Sequence, residues 1–410
     1  MRDVRGHRLL AIGGAALLAA CGGDGDGERT PLVDAGVVED ASVVEDADAS
    51  DADAGSHDAG SSDAGSADAS SDACTPFVMP DSERCAIPEN AALPGDLACT
   101  GLYGDPAQRK LACGVIEYAP AFELWSDGAE KRRFVALPPG TRIDTSDPDA
   151  FVFPVGAKLW KEFRVRAPDG RMRLGETRLI QKVTGGWIYT SYVWSEDEQR
   201  AVQMDNDRGV PDLHGTGHTV PTRDQCGECH AGRKDFALGW DALMLGPGAR
   251  GVTRDTLVSL GLAQRADTLA LTIPGSEVER AALGYLHANC GVSCHNETAK
   301  AKARDARLYL RLEASELASV ATTDAFRSGM NKLPEQNAEL DGLALDPSRY
   351  VGIRPGDPAR SLLLERQKIR GFEGQMPRIG THRVDDVGVD LTTRWIESMR
   401  DNPAYPAPAP

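Results

Sequence analysis

Residues Thr177–Val183 (TRLIQKV), Thr184-Gly185-Gly186 and Trp187–Trp194 (WIYTSYVW) run consecutively. Two stretches rich in β-branched and aromatic residues flank a glycine pair, a pattern that predicts a β-hairpin. The pattern recurs upstream. Lys131–Leu137 (KRRFVAL) stops at Pro138-Pro139-Gly140, and Leu159–Val165 (LWKEFRV) stops at the turn signal Pro168-Asp169-Gly170. These segments predict an antiparallel, β-rich N-terminal domain over residues 115–200. Phe151, Phe153, Trp160, Phe163, Trp187, Tyr189, Tyr192 and Trp194 concentrate there. Such residues most often form the core of a sheet; the alternative is a face for a sugar or ring ligand.

Beyond Cys226 the signals turn helical. Ser276-Glu277-Val278-Glu279 is a capping box that opens a helix through Ala281, Leu283, Leu286 and His287, running into Cys290. Val387, Leu391, Trp395, Ile396 and Met399 share one face of a helix predicted over 385–400. Arg354-Pro355-Gly356-Asp357-Pro358 marks a turn before a short helical run, Ser361 to Lys368. The expected fold class is therefore multidomain, the β-rich domain being followed by a mostly α-helical region. Boundaries are expected at 1–21, 22–73, 74–114, 115–200, 201–272, 273–402 and a proline-rich tail, 403–410.

The first 21 residues read as a secretion signal, with Arg2, Arg5 and Arg8 ahead of an apolar run from Leu9 to Ala20. That run is too short to span a bilayer stably. It ends Leu18-Ala19-Ala20-Cys21, which resembles the bacterial lipobox and implies lipidation of Cys21; the alternative is an ordinary signal peptide. Residues 22–73 repeat Asp-Ala-Gly and Asp-Ala-Ser, with fifteen acidic residues against Arg29 alone. Such a stretch cannot bury enough apolar surface to offset its ordering entropy, so it reads as an extended, self-repelling tether. Most of the formal charge of −17 belongs to it and says little about partners of the folded part. No basic cluster interleaves with aromatics, so nucleic-acid binding has no support.

Nine cysteines divide by context. Cys21 is assigned to lipid. Cys74, Cys85, Cys99 and Cys113 form an even set in a secreted chain, which argues for two disulfides with three possible connectivities. The last four lie in Cys226-Gly-Glu-Cys229-His230 and Cys290-Gly-Val-Ser-Cys294-His295. The first has the spacing of c-type haem attachment, two thiols that add to haem vinyl groups and a histidine that ligates iron. A redox dithiol and half of a four-cysteine zinc site are the competing readings. The second keeps the order of residue types with one extra residue between the thiols. Thiols at i and i+4 still share a helix face, so haem and a Cys290–Cys294 disulfide both stay open there. Met376, in Gln375-Met376-Pro377 before the final helix, is the expected sixth ligand of the second iron, with His382 as backup. For the first iron the candidates are His218, His214 and Met244, His218 ranking first; a five-coordinate iron is the alternative.

From about Ile273 to Met399 the order of helix, attachment motif, long connection, Met-Pro loop and final helix resembles a cytochrome c domain. Taken with Leu124-Trp125-Ser126-Asp127-Gly128, Phe153-Pro154-Val155-Gly156, Glu176-Thr177-Arg178, His218-Thr-Val-Pro221 and Leu238-Gly239-Trp240, the chain resembles di-haem c-type cytochromes with a β-rich region ahead of the first motif. The resemblance covers most of 118–400; the second attachment spacing departs from it. It implies two haem c groups, electron exchange with donor and acceptor proteins, and a periplasmic or surface-facing location. With lipid on Cys21, the expectation is a protein anchored to a Gram-negative bacterial membrane. An electron carrier is expected ahead of a peroxidase-like or dehydrogenase-associated enzyme, and a mono-haem protein stays as an alternative.

Overall fold

The Thr177–Trp194 hairpin belongs to a six-stranded antiparallel meander in the computed structural model of the chain. The structure describes residues 74–407 apart from 90, 206, 265–270, 335–348 and 373. The signal segment, Cys21 and the tether lie outside the described residues. The meander runs β3 (Val115–Tyr118), β4 (Glu130–Ala136), β5 (Lys158–Arg166), β6 (Met172–Val183), β7 (Gly186–Trp194) and β8 (Ala201–Gln203), each strand paired with the next. A small pair, β1 (Tyr103–Asp105) and β2 (Lys110–Leu111), precedes it. Gly186 already pairs with Val183, so the hairpin turn is Thr184-Gly185, with Gly185 in the left-handed region at φ 90°.

Strand alternation gives the sheet two unlike faces. One carries Phe134, Trp160, Leu179 and Tyr192 into a core shared with Leu93, Leu97, Leu102 and Tyr103. That covering segment is stapled by two disulfides, Cys85–Cys99 nested inside Cys74–Cys113. All four cysteines expected to pair do so, in the nested one of the three connectivities. Of the eight aromatic residues, six are buried, while Trp187 and Tyr189 are half-buried. The sheet-core reading therefore holds for most of them.

The opposite face of the sheet meets the later part of the chain. Val135 and Leu159 pack with Phe151, Phe153, Trp240 and Leu257, and Trp240 donates its indole N–H to Tyr118 Oη at 2.8 Å. The six α-helices among the described residues are α1 (Arg223–His230), α2 (Arg254–Ser259), α3 (Glu277–Leu286), α4 (Asp324–Gly329), α5 (Leu362–Gln367) and α6 (Asp386–Ser398). The capping box at Ser276 and Glu279 forms as expected, both bonds being present. Helix α6 follows the expected range and buries Trp395 and Ile396, with Met399 buried just beyond its end, but Val387 is 76% exposed and does not join that face. Tyr285 of α3 lies against Gly388 of α6, where an added Cβ would stand 2.1 Å from its hydroxyl.

The expectation of a mostly α-helical second region is overturned. Only α3 and α6 exceed eight residues, and long irregular segments join the helices. Leu308, Leu310 and Leu312 show why. Their apolar–polar alternation has period two, and the segment forms no helix, burying Leu310 and Leu312 in the same core as Trp395. The described residues from 74 onwards belong to one compact unit.

Candidate functional site

The side chains singled out by motif converge on one cavity. It has a volume of about 1260 Å³ and is lined by all four motif thiols, His230, His295, His218, Met244 and Met376. Drug-sized ligands occupy pockets of roughly 300–1,000 Å³, so this space is large for a single small molecule. Sheet, both motifs and the Met376 loop all contribute to its wall.

The first motif lies wholly on α1. Thr222 accepts from the Gln225 N–H and the Gln225 side chain accepts from the Thr222 N–H, a capping box that starts the helix four residues before Cys226. None of the helix residues is fully buried, because the cavity lies beside it. His230 points Nδ1 at the Phe236 carbonyl, 2.6 Å away. A carbonyl can only accept, so Nδ1 carries the proton and Nε2 keeps its lone pair. Burial pushes His230 down to about 4, against the opposing effect of that carbonyl, so the ring is neutral.

The second motif begins where α3 ends. Residues His287–Gly291 form a widened turn in which the Val292 N–H donates to the His287 carbonyl at 2.8 Å. The same five-residue step spans the motif itself, as His295 N–H donates to the Cys290 carbonyl at 2.9 Å. An inserted residue in a helix is accommodated by such π-type turns. The extra residue between Cys290 and Cys294 is thus taken up by the backbone. Cys290 and His295 are still one turn apart, as Cys226 and His230 are in α1. His295 repeats the arrangement of His230, with Nδ1 donating to the Leu308 carbonyl at 2.9 Å. Burial lowers its pKa, again favouring the neutral ring.

All four motif thiols are free of disulfide bonds. Burial raises Cys226 and Cys229, and burial together with the neighbouring thiols pushes Cys290 and Cys294 up to about 12. Cys229 is the first neighbour acting on Cys294, so the motifs adjoin. Gly232 shows how closely: a Cβ there would stand 2.1 Å from the Ser293 carbonyl oxygen. Among the described residues no three His, Cys, Asp or Glu side chains gather as a metal cage. Two pairs of reduced thiols, each followed by a neutral histidine with Nε2 left over, instead form a donor set that fits covalent haem with one axial nitrogen per group.

The other expected ligands fare differently. Met376 lines the cavity, and its N–H donates to the Arg366 carbonyl at 2.9 Å. Its loop is tied down by Asp127, whose carboxylate accepts from the N–H groups of His382 and Arg383. His382 itself is exposed, with Nε2 3.0 Å from Thr219 Oγ1, and is not part of the cavity wall. His214 is exposed too, its Nε2 held by the Trp194 carbonyl at 3.0 Å. His218 does line the cavity, but Glu176 Oε1 occupies its Nε2 at 2.8 Å. Burial would raise Glu176, yet Arg178 and His218 outweigh it and hold the carboxylate at about 2. Met244 is buried against the cavity.

Several residues that build the site carry no motif. Asn289 accepts from the Trp125 N–H at 2.7 Å and donates to the Glu123 and Tyr285 carbonyls, joining the Leu124–Gly128 segment to Cys290. Asn296 donates to the Gly291 carbonyl at 2.8 Å, closing the second motif on itself. His287 receives the Leu312 N–H at 2.9 Å. The nearness of Asn289, Asn296 and His287 to the cysteines was the only signal available in the sequence.

No known protein family, no curated protein and no solved structure matches this chain.

Proposed function

We propose that the chain is a di-haem c-type cytochrome that transfers electrons, carried outside the cytosol and anchored by lipid on Cys21. One observation carries the reading: both cysteine–histidine motifs open onto the same cavity, each with its histidine oriented by a backbone carbonyl. In this reading Cys226, Cys229, Cys290 and Cys294 hold two haems, and His230 and His295 supply the proximal nitrogens. When bound, haem iron supplies reversible one-electron chemistry. The chain would contribute orientation, an enclosing wall and the ligating histidines. Met376 lines the cavity from the loop before α6, and would supply a thioether ligand, a donor that raises the potential of a histidine-ligated haem. The two motifs adjoin, so groups held by them would share the one cavity. Among the described residues no helix is long and apolar enough to cross a membrane, so this reading gives anchoring to the lipid.

The deciding experiment is a pyridine haemochrome assay with mass spectrometry of haem peptides. Two haems per chain, one on each motif, are expected. One haem confined to Cys226 and Cys229, or none, overturns the reading.

A second reading, a peroxidase-like enzyme, draws on the engagement of His218 by Glu176. With its Nε2 engaged by Glu176, His218 would not serve as a ligand to an iron on the first motif, which would favour a site accessible to a small ligand. A high-spin signal that changes on adding hydrogen peroxide supports this reading. Two low-spin centres inert to peroxide remove it.

A further inference from the structure

The cavity wall formed by the sheet carries an unusual row. In the strand register Tyr118 faces Arg133, Arg133 faces Lys161, Lys161 faces Arg178, and Arg178 faces Ser191. All five residues line the cavity. Three cations therefore stand directly opposite one another on the three adjacent strands β4, β5 and β6. Like charges directly opposite across a sheet destabilise it, so the row costs stability unless something in the cavity offsets it.

The outer two cations are partly neutralised. Arg133 donates to Glu123 at 3.2 Å, and Arg178 makes a two-pronged pair with Glu176 at 2.6 and 3.0 Å. Lys161 is different. It has no hydrogen bond or ion pair among the described residues, only the Phe163 ring, with Nζ 4.8 Å from the centroid. Burial and then the guanidiniums of Arg133 and Arg178 depress its ammonium well below the ordinary lysine value. The Lys161 amine thus faces the cavity with a guanidinium on either side, and the carboxylate that acts on it, Glu176, is already hydrogen-bonded to Arg178 and His218, so the described residues give Lys161 no ion-pair partner of its own.

We infer that the Arg133–Lys161–Arg178 row is a binding site for an anionic oxygen group, with Lys161 at its centre. The row adjoins the first motif, since Lys161 and Arg178 both act electrostatically on Cys226 and Cys229. Two sources share this chemistry: the carboxylate side chains of a haem on that motif, or a free oxyanion that enters the cavity. Only the first rests on the di-haem reading.

The test compares the full-length protein with Lys161→Met, haem content being measured in each, in low-salt buffer with and without added phosphate. Replacing an uncompensated buried cation by an apolar residue of similar shape is often neutral or stabilising. With a haem carboxylate on the row, the variant instead melts below wild type without phosphate. With a free oxyanion, phosphate raises the wild-type melting temperature and fails to raise that of the variant. In both cases Lys161→Arg, which keeps the charge, retains the wild-type behaviour. A Lys161→Met protein that melts at or above wild type, together with no phosphate effect on wild type, overturns the inference. So does equal loss of stability in Lys161→Met and Lys161→Arg, which marks a packing role. Absence of haem in the wild type removes the di-haem reading and leaves the phosphate arm to decide the row.

Discussion

The two attachment motifs have the same chemistry and are built in opposite ways. Cys226–His230 sits on a regular helix none of whose residues is fully buried, and its spacing is the ordinary one for an α-turn. Cys290–His295 sits on an irregular, buried turn, held by Asn289, Asn296, His287 and Leu310. The first motif is held by local contacts, the Thr222–Gln225 capping box and the His230–Phe236 hydrogen bond. The second is held by tertiary contacts that compensate for its extra residue. A motif with ordinary spacing needs little from the fold, whereas a stretched one must have its geometry imposed from outside.

That contrast can be broken most severely by deleting Ser293. The deletion gives the second motif the spacing of the first, but turns Cys294 and His295 out of register with Leu308 and Leu310, whose carbonyl and N–H bond His295. The expected result is loss of at least about 4 kcal/mol, the range of network-breaking changes, together with loss of haem from the second motif. Denaturant unfolding and haem-peptide mass spectrometry check it. Wild-type stability would break the comparison.

The glycines that follow the first cysteine of each motif form a matched pair. A Cβ on Gly291 would stand 2.3 Å from the Arg311 nitrogen and 2.4 Å from the Leu310 carbonyl, both backbone atoms that cannot swing aside. Gly291→Ala is expected to cost about 3 kcal/mol, the upper part of the overpacking range, measured by chemical denaturation. An Asn289→Ala change sharpens the comparison at a smaller scale. It leaves the Trp125 N–H and two carbonyls without their side-chain partner, a loss of about 1–3 kcal/mol, readable in the same unfolding curves. Gly227→Ala is the smallest change and of opposite sign. Its Cβ meets only Tyr189 Oη at 3.4 Å, so replacing glycine inside α1 should stabilise the chain by up to about 1 kcal/mol. A destabilised Gly227→Ala protein would show that the first motif, too, is held by its surroundings.

Local signals were legible wherever the cause was local. The Thr184-Gly185 turn, the strands beside it and the capping box at Ser276 follow from neighbours a few residues apart. The helical reading of the later region failed for the converse reason. Short capped helices announce themselves, but the non-helical Leu308–Leu312 segment and the long connections are stabilised by partners distant in the chain. Val387 looked like a core residue by periodicity and is solvent-facing, because α6 meets the core only from Gly388 onwards. Of the candidate ligands, His214 stood by sequence as a candidate for the first iron and His382 as backup to Met376. Their hydrogen bonds to Trp194 and Thr219, which only folding creates, place them elsewhere.

By itself, the sequence determined the reagents: four thiols in two motifs, a histidine after each pair, four further cysteines for disulfides, and a meander of strands with its turns. These follow from covalent order and from interactions over one or two turns of chain. Only the tertiary structure decided that the disulfides nest, that a widened turn absorbs the extra residue of the second motif, and that both motifs share one cavity. It also decided that Arg133, Lys161 and Arg178 stand side by side. Strand register and close backbone approach set those outcomes, and both depend on contacts between residues far apart in the chain, which local propensity does not encode.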